Sequence, residues 1–307
     1  MPGRGLTPGL LWPQQAHMQK ASNLGGIIAM LAATATFTVG DAFMKIAAEQ
    51  LPPFEVLVLR CVVAGLVCAL LVTLRREWHA IAGVLSLRTL LRAFGEALNT
   101  LCYVVALARM PLADVIAILQ TAPLILILGA AFFYRERIGP IRVMLVLLGF
   151  AGALLVAQPG AGGMSSAAVL AFGAAVLIAT RDLIGRGVPS EIPVTVVILA
   201  TILVSLVVAG LASLALETWV TPTAPQLGLL GGAGLCLALG HAGLVLAYRL
   251  GETSSVAPFF YSFALWGVVA GLVIWGTLPN ALALAGIALI VASGVTIVLL
   301  DRRRLRS

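Results

Sequence analysis

Charge is what this sequence has least of. Asp, Glu, Lys and Arg together make up 10% of its 307 residues, against about a quarter in an ordinary soluble domain. Lysine is nearly absent, with only Lys20 and Lys45. Neither stands in the Gly-Lys-Ser/Thr setting of a phosphate-binding loop, so ATP-driven transport by this chain is not expected. The three histidines, His17, His79 and His241, are far apart, and there is no H-E-x-x-H or G-x-S-x-G. The common metalloprotease and serine-hydrolase signatures are therefore missing. The four cysteines, Cys61, Cys68, Cys102 and Cys236, lack C-x-x-C spacing and histidine partners. Disulfides and zinc are not expected from them, and no metal or cofactor is expected at all.

What is present is apolar: 61% of residues are hydrophobic. No water-soluble fold hides that much apolar surface, and disorder needs the opposite composition. The solvent that remains is a lipid bilayer. Ten apolar runs can be read: Leu24–Ala48, Phe54–Leu74, Thr89–Leu107, Asp114–Phe133, Ile141–Ala157, Ser165–Ile184, Ile192–Leu216, Leu227–Tyr248, Ser255–Trp275 and Ala281–Leu300. Proline and glycine turn signals separate them. At about 20 residues per span, ten helices leave room only for short loops and no second soluble domain. The segment before them, Met1 to Lys20, is broken by Pro2, Pro8 and Pro13 and reads as a retained, poorly ordered tail rather than a signal peptide.

The net charge is +7, but the bases are dispersed at the ends of apolar runs, so nucleic acid is not an expected partner. Sixteen of the 19 Lys and Arg fall on one side of a ten-span arrangement, leaving Lys45, Arg60 and Arg109 for the other. The positive-inside rule then places both termini in the cytoplasm of a cell whose inner membrane holds the protein.

An internal repeat adds to this. Asp41-x3-Lys45 followed by Pro52-Pro53 has a counterpart in Asp182-x3-Arg186 followed by Pro189, about 141 residues on, and Arg109 with Asp114 matches the Arg249 region at nearly the same offset. The unit holds five spans. An odd number forces the second copy to insert upside down, which gives alternating access a simple origin and points to a secondary carrier.

Ionisable and polar residues inside the runs are the candidate site, because charge in hydrocarbon costs several kcal/mol and is usually paired or functional. Asp41 and Lys45 lie one turn apart and can pair, as can Arg92 and Glu96. Glu55 and Arg60 open the second run, and Arg181, Asp182 and Arg186 close the sixth. Each can lock a helix end or face a substrate. Lys45, Arg92 and Arg186 lie nearest the boundaries, whereas Asp41, Arg60 and Glu96 lie deeper. His241 could bind substrate, carry protons, or hydrogen-bond across helices. Asn99, Tyr103, Gln120, Tyr261 and Trp266 are polar or amphipathic lining candidates. Pro123 and Pro258 fall inside runs, where each removes a backbone donor and favours a kink suited to gating. Gly267-x3-Gly271 permits close helix packing.

The chain resembles the EamA-type carriers of the drug/metabolite transporter superfamily. The resemblance rests on Asp41-x3-Lys45 with Pro53 and Arg60, Asn99 and Tyr103, Met110-Pro111-Leu112-Ala113-Asp114, Pro123-Leu124, Glu136 and Gly149-Phe150-x-Gly152. In the second half it rests on Gly240-His241, Ala247-Tyr248-Arg249, Val256-Ala257-Pro258-Phe259, Tyr261-Ser262, Trp266 and Gly294. It implies an all-α polytopic membrane protein of ten transmembrane helices in two inverted five-helix repeats. Residues 1–23 would be a cytoplasmic tail, 24–160 and 161–300 the two repeats, and 301–307 a basic cytoplasmic tail. It further implies a cavity lined by spans 1, 3, 4, 6, 8 and 9. Members carry amino acids, S-adenosylmethionine, riboflavin and similar metabolites. One departure is that Gly276-Thr277 stands where an acid often precedes the last span.

The expected function is secondary active transport of a small organic metabolite, with protons or a counter-substrate as coupling partner. Asp41 or Glu96 would neutralise a cationic group, Arg60 would hold a carboxylate, and the aromatic residues would stack on the apolar part. An uncoupled channel is the second reading and a membrane enzyme the third. The sequence leaves substrate, direction, coupling ion and oligomeric state open.

Overall fold

A backbone crossing hydrocarbon must satisfy its own N–H and C=O groups, and runs of Leu, Val, Ile and Ala do so as helices. A computed structural model of the chain describes residues 13–134, 139–158, 164–185, 191–251 and 253–304. Among the described residues there is no strand, and ten helical stretches are long and apolar enough to cross a membrane. Spans 1 to 10 are Asn23–Ala47, Pro53–Leu74, Leu87–Arg109, Leu112–Phe133, Pro140–Ala157, Ser166–Gly185, Val194–Leu216, Ala224–Leu250, Ala257–Trp275 and Ala281–Leu300. Each limit lies within a turn of the sequence expectation. One difference is at the start: the first helix runs Pro13–Ala47, so part of the expected tail is helical. Proline at a first helical position loses no hydrogen bond that the helix would otherwise have. Residues 1–12 lie outside the described ones.

Short connections make successive spans alternate in direction. Both ends of the bundle therefore meet one side, called here the terminal face. Arg75, Arg88, Arg142 and Arg249 lie toward it, while Lys45 and Arg109 lie toward the opposite face. Leu66, Leu70, Val207 and Leu211 are exposed on the outside of the bundle, as lipid-facing side chains must be in a multi-pass membrane protein.

The spans pack in pairs. Span 1 lies on 8, 3 on 6, 2 on 7, 4 on 9 and 5 on 10, with further contacts of 3 with 7, 2 with 8, 4 with 6, and 1 with 9. Spans 5 and 10 approach backbone to backbone: a Cβ built on Gly152 would lie 2.6 Å from the Gly286 carbonyl oxygen, and one on Gly286 would lie 2.4 Å from that of Gly152. At the opposite face the Glu217 carboxylate accepts from the Phe54 and Glu55 backbone N–H groups at 3.0 and 3.1 Å. It thereby caps span 2, whose first amides have no partner within the helix.

Two spans are discontinuous. Span 4 is a helix Leu112–Leu119, a break at Gln120 and Thr121, and a second helix Ala122–Tyr134. Span 9 begins with a 3₁₀ turn Ala257–Tyr261 that leads into the helix Ser262–Trp275. Pro123 opens the second half of span 4, and Pro258 lies in the 3₁₀ turn of span 9. Both prolines thus stand beside the breaks, where their missing N–H costs least. Gly267 lets span 9 close on span 4, with Ile116 and Ala113 within 3.4 Å of where its Cβ would be. Gly271 meets only the Thr277 carbonyl of the following turn.

Candidate functional site

Span 3 enters from the terminal face and span 6 leaves toward it, and this antiparallel pairing decides which charges meet. Helical side chains tilt toward their own N-terminus. On span 3 that carries Arg92 and Glu96 toward the terminal face, and on span 6 it carries Arg181 back into the membrane. Glu96 therefore pairs with Arg181 across the helices, not with Arg92 one turn away. Arg181 also donates Nε to the Asp182 carboxylate at 2.9 Å. Asn99 donates to Glu96 at 3.3 Å, and Arg92 donates to the Thr201 hydroxyl on span 7 at 3.2 Å.

The expected Asp41–Lys45 pairing does not form either, and Glu55 and Arg60 at the start of span 2 take separate partners. Lys45 turns from Asp41 and donates to the carbonyls of Leu107 and Met110 at 2.7 and 2.6 Å, capping the negative end of span 3. Its ammonium also lies 5.9 Å from the Trp275 ring. Glu55 accepts from the Val220 N–H at 2.9 Å, while Arg60 turns into the bundle and reaches the Met44 sulfur at 2.8 Å. The expected Asp182–Arg186 contact involves a residue outside the described ones, as do Arg135 and Glu136.

A central cavity of about 60 Å³ is walled by Arg60 and Cys61 of span 2, Arg92, Glu96 and Thr100 of span 3, and Arg181 of span 6. Thr201, Ile202 and Ser205 of span 7 and Leu237 and His241 of span 8 complete it. An outer cavity of about 180 Å³ shares Ile198 and His241 with it and carries Arg75, Glu77 and Arg249 toward the terminal face. Spans 2 and 7, absent from the lining that the family resemblance implied, supply about half the wall. Spans 1, 4 and 9 contribute none of its described lining. His241 stands where the cavities join. Its Nδ1 donates to the Leu237 carbonyl at 2.8 Å, because that carbonyl can only accept, and Phe37 meets the ring edge-on at 5.1 Å.

Asp41 and Tyr103 are buried behind this cavity. Asp41 lies in the electrostatic field of Arg60 and beside the Tyr103 hydroxyl. Along span 3 the wall residues Arg92, Glu96 and Thr100 give way to buried Tyr103, Val104 and Leu107. Ala108, Arg109 and Met110 then line a separate vestibule of about 630 Å³ at the opposite face, together with Lys45, Asp114 and Trp275. The central cavity is thus open toward the terminal face, and about two helical turns of packed side chains separate it from the other.

Gln120 and Tyr261 do not line this cavity. They sit at the breaks in spans 4 and 9, where the two spans touch: the Gln120 side chain donates to the Phe260 carbonyl at 3.3 Å. Ser262, next to Tyr261, shares a 2.8 Å hydrogen bond with Thr34 of span 1. Trp266 lies beyond the break, half-buried, its indole N–H without a partner. Asp182 is half-exposed at the end of span 6. Asp41, Arg60, Glu96, Asn99, Tyr103 and His241 are thus gathered around one centre, whereas Gln120, Tyr261, Pro123 and Pro258 form the crossing of the broken spans.

Gln120→Met keeps the volume and removes the donor that joins the two breaks. A lost hydrogen bond of about 1 kcal/mol is expected to lower the melting temperature of this variant by roughly 2–4 °C. An unchanged melting temperature rules the contact out as a support of the two breaks.

Thr201 and Ser205 are not among the candidates that the sequence offers, whereas Arg92 and Arg181 are read there as able either to lock a helix end or to face a substrate. Arg181 and Arg92 lie near span ends and read as terminal-face charges. The signal that could have placed them is the helix direction, which sends one inward and the other to meet it. Thr201 and Ser205 are one turn apart in a span whose only other hydroxyl side chains are Thr195 and Ser213 near its ends, a spacing legible in principle.

Residues 24–158 match the EamA-like transporter family. A riboflavin transporter from Rhizobium johnstonii is 33% identical over 220 residues, 71% of this chain and 72% of its own length. The pseudopaline exporter CntI from Pseudomonas aeruginosa is 30% identical over 283 residues, 89% of this chain and 95% of its own length. An S-adenosylmethionine uptake transporter from Rickettsia prowazekii is 24% identical over 92% of this chain and 96% of its own length. A solved crystal structure aligns with a TM-score of 0.64 over 94% of this chain and all of its own, at 21% identity, and this likeness concerns the fold alone.

Proposed function

The chain belongs to the EamA-like transporter family, and from that premise we propose that it is a secondary carrier working by alternating access. That it is a small-molecule transporter and not an enzyme follows from the family and its relatives. The observation that carries the mechanism is the one-sided cavity. A polar pocket reaches the Arg60–Glu96–Arg181 cluster from the terminal face and stops about two turns short of the opposite vestibule. A channel would keep both sides continuous.

The packing supports two inverted repeats. Exchanging each span with the one five places on turns the 1–8 contact into 6–3, 3–7 into 8–2, and 4–6 into 9–1, and leaves 2–7, 4–9 and 5–10 unchanged. The breaks in spans 4 and 9 fall at equivalent places. Swapping the conformations of the two halves would then close the terminal-face cavity and open the vestibule. The excess of arginine on the terminal face supports a cytoplasmic placement of that face in an inner membrane, which makes the cavity described here the inward-open one. Asp41, Arg60, Glu96, Asn99, Tyr103 and His241 form the substrate region, and Gln120, Tyr261, Pro123 and Pro258 the moving joint.

Counterflow in reconstituted vesicles tests this reading. Vesicles preloaded with unlabelled substrate are expected to accumulate labelled substrate transiently above equilibrium. A pore gives no such overshoot. Repeating the assay with an imposed pH gradient separates proton coupling from exchange.

A further inference from the structure

The central cavity holds more positive charge than its own carboxylates engage. Three guanidinium groups face it, those of Arg60, Arg92 and Arg181. Arg181 takes both nearby acids, Glu96 and Asp182. Among the described residues no carboxylate lies within ion-pair distance of Arg60 or Arg92. Arg92 spends one donor on the Thr201 hydroxyl. Arg60 spends one on a thioether sulfur, a weak acceptor, and its Nε is buried without a partner. Asp41 tempers the field at Arg60 but neither pairs with it nor lines the cavity. A guanidinium has five donors in a planar fork that matches a carboxylate, so two such forks beside one cavity fit two groups of anionic oxygens. Inside a membrane such charges call for partners of opposite sign.

We infer that the substrate is a compact organic anion carrying two carboxylates, one taken by Arg60 and the other by Arg92. The inference rests on the carrier reading and names the substrate class of the same site. The approach agrees with it: Arg75 and Arg249 line the outer cavity against the single acid Glu77, so the route in favours anions at long range. Size agrees as well. Drug-sized ligands need roughly 300 Å³ or more, and the cavities of about 60 and 180 Å³ suit a four- or five-carbon diacid better than a flavin or a nucleoside sulfonium.

Isothermal titration of the purified full-length chain tests this with succinate, L-malate and L-aspartate, their monomethyl and dimethyl esters, riboflavin and S-adenosylmethionine. The diacids are expected to bind, each half-ester at least about tenfold more weakly, and the diesters not measurably. Arg92→Gln is expected to remove the preference of diacid over half-ester. Arg92→Lys, which keeps the charge and loses the fork, should retain part of it and guards against a variant that fails to fold. Equal binding of diacid and half-ester overturns the inference. So does tighter binding of riboflavin or S-adenosylmethionine, or no binding of any diacid at millimolar concentration by folded protein. Counterflow keeps the two readings apart. Overshoot with riboflavin but with no diacid leaves the carrier standing and removes the substrate class. Diacid binding with no overshoot for any ligand does the reverse.

Discussion

Glu96→Gln is expected to reduce transport by about 100-fold while folded yield and melting temperature change little. Glu96 closes the contact between spans 3 and 6 at the wall of the central cavity, with Arg181 and Asn99 converging on the carboxylate. The amide keeps shape and hydrogen bonding but loses the charge. Both members of the pair are about a fifth exposed, so water screens it and its worth to folding is discounted to about 1 kcal/mol or less. Its worth to transport is larger. Releasing Arg181 leaves it only the half-exposed Asp182 as a partner and unties the cross-helix contact between spans 3 and 6 at the cavity wall. A rise of about 2.7 kcal/mol in the transport barrier is the stated 100-fold. Arg181→Gln should behave alike. The double variant should be less impaired than the two single losses predict, because removing both charges leaves neither unpaired. Asp41→Asn, which removes an acid in the field of Arg60, is expected to fail similarly. Normal uptake by both Glu96→Gln and Asp41→Asn, measured in cells and in vesicles, would sink the assignment of this cluster as the working centre.

Gly152→Val is expected to cost folded protein outright. The Cβ of any side chain there would meet the Gly286 carbonyl oxygen at 2.6 Å, with Leu289 and Ile290 at 3.0 and 3.1 Å. The obstructing atom is backbone of a helix packed along its length, so no rotamer change relieves the contact and spans 5 and 10 must separate. Overpacking of this kind costs about 3 kcal/mol, which corresponds to a fall of roughly 6–12 °C in melting temperature. The same measurement on Gly173→Ala is the control. Nothing lies within 4 Å of that position, and replacing glycine by alanine in a helix interior stabilises by up to about 1 kcal/mol. Equal melting temperatures for the two variants would show that spans 5 and 10 do not meet as described.

The misplaced pairs share one cause. Asp41–Lys45 and Arg92–Glu96 are each spaced i and i+4, and a helix does bring such positions to one face. That spacing offers a partner without requiring it. Lys45 found the unsatisfied carbonyls ending span 3, and Glu96 a guanidinium on another span. Within a bilayer such long-range partners decide, because an unsatisfied carbonyl or charge there has no water to turn to.

The sequence by itself determined the solvent, the ten crossings, their limits to within a turn, the alternation of faces, and the residues whose polarity had to be accounted for. These are one-dimensional properties: a hydrocarbon slab of fixed thickness reads hydropathy along the chain, and proline, glycine and arginine mark where it ends. Only the tertiary structure decided which charges meet, that spans 2 and 7 wall the cavity, and that Gln120 and Tyr261 stand where two broken helices touch rather than in the pocket. Those outcomes depend on which helix lies against which and on the direction each side chain tilts. Both are set by close packing between residues more than a hundred positions apart, and no local pattern in the chain encodes them.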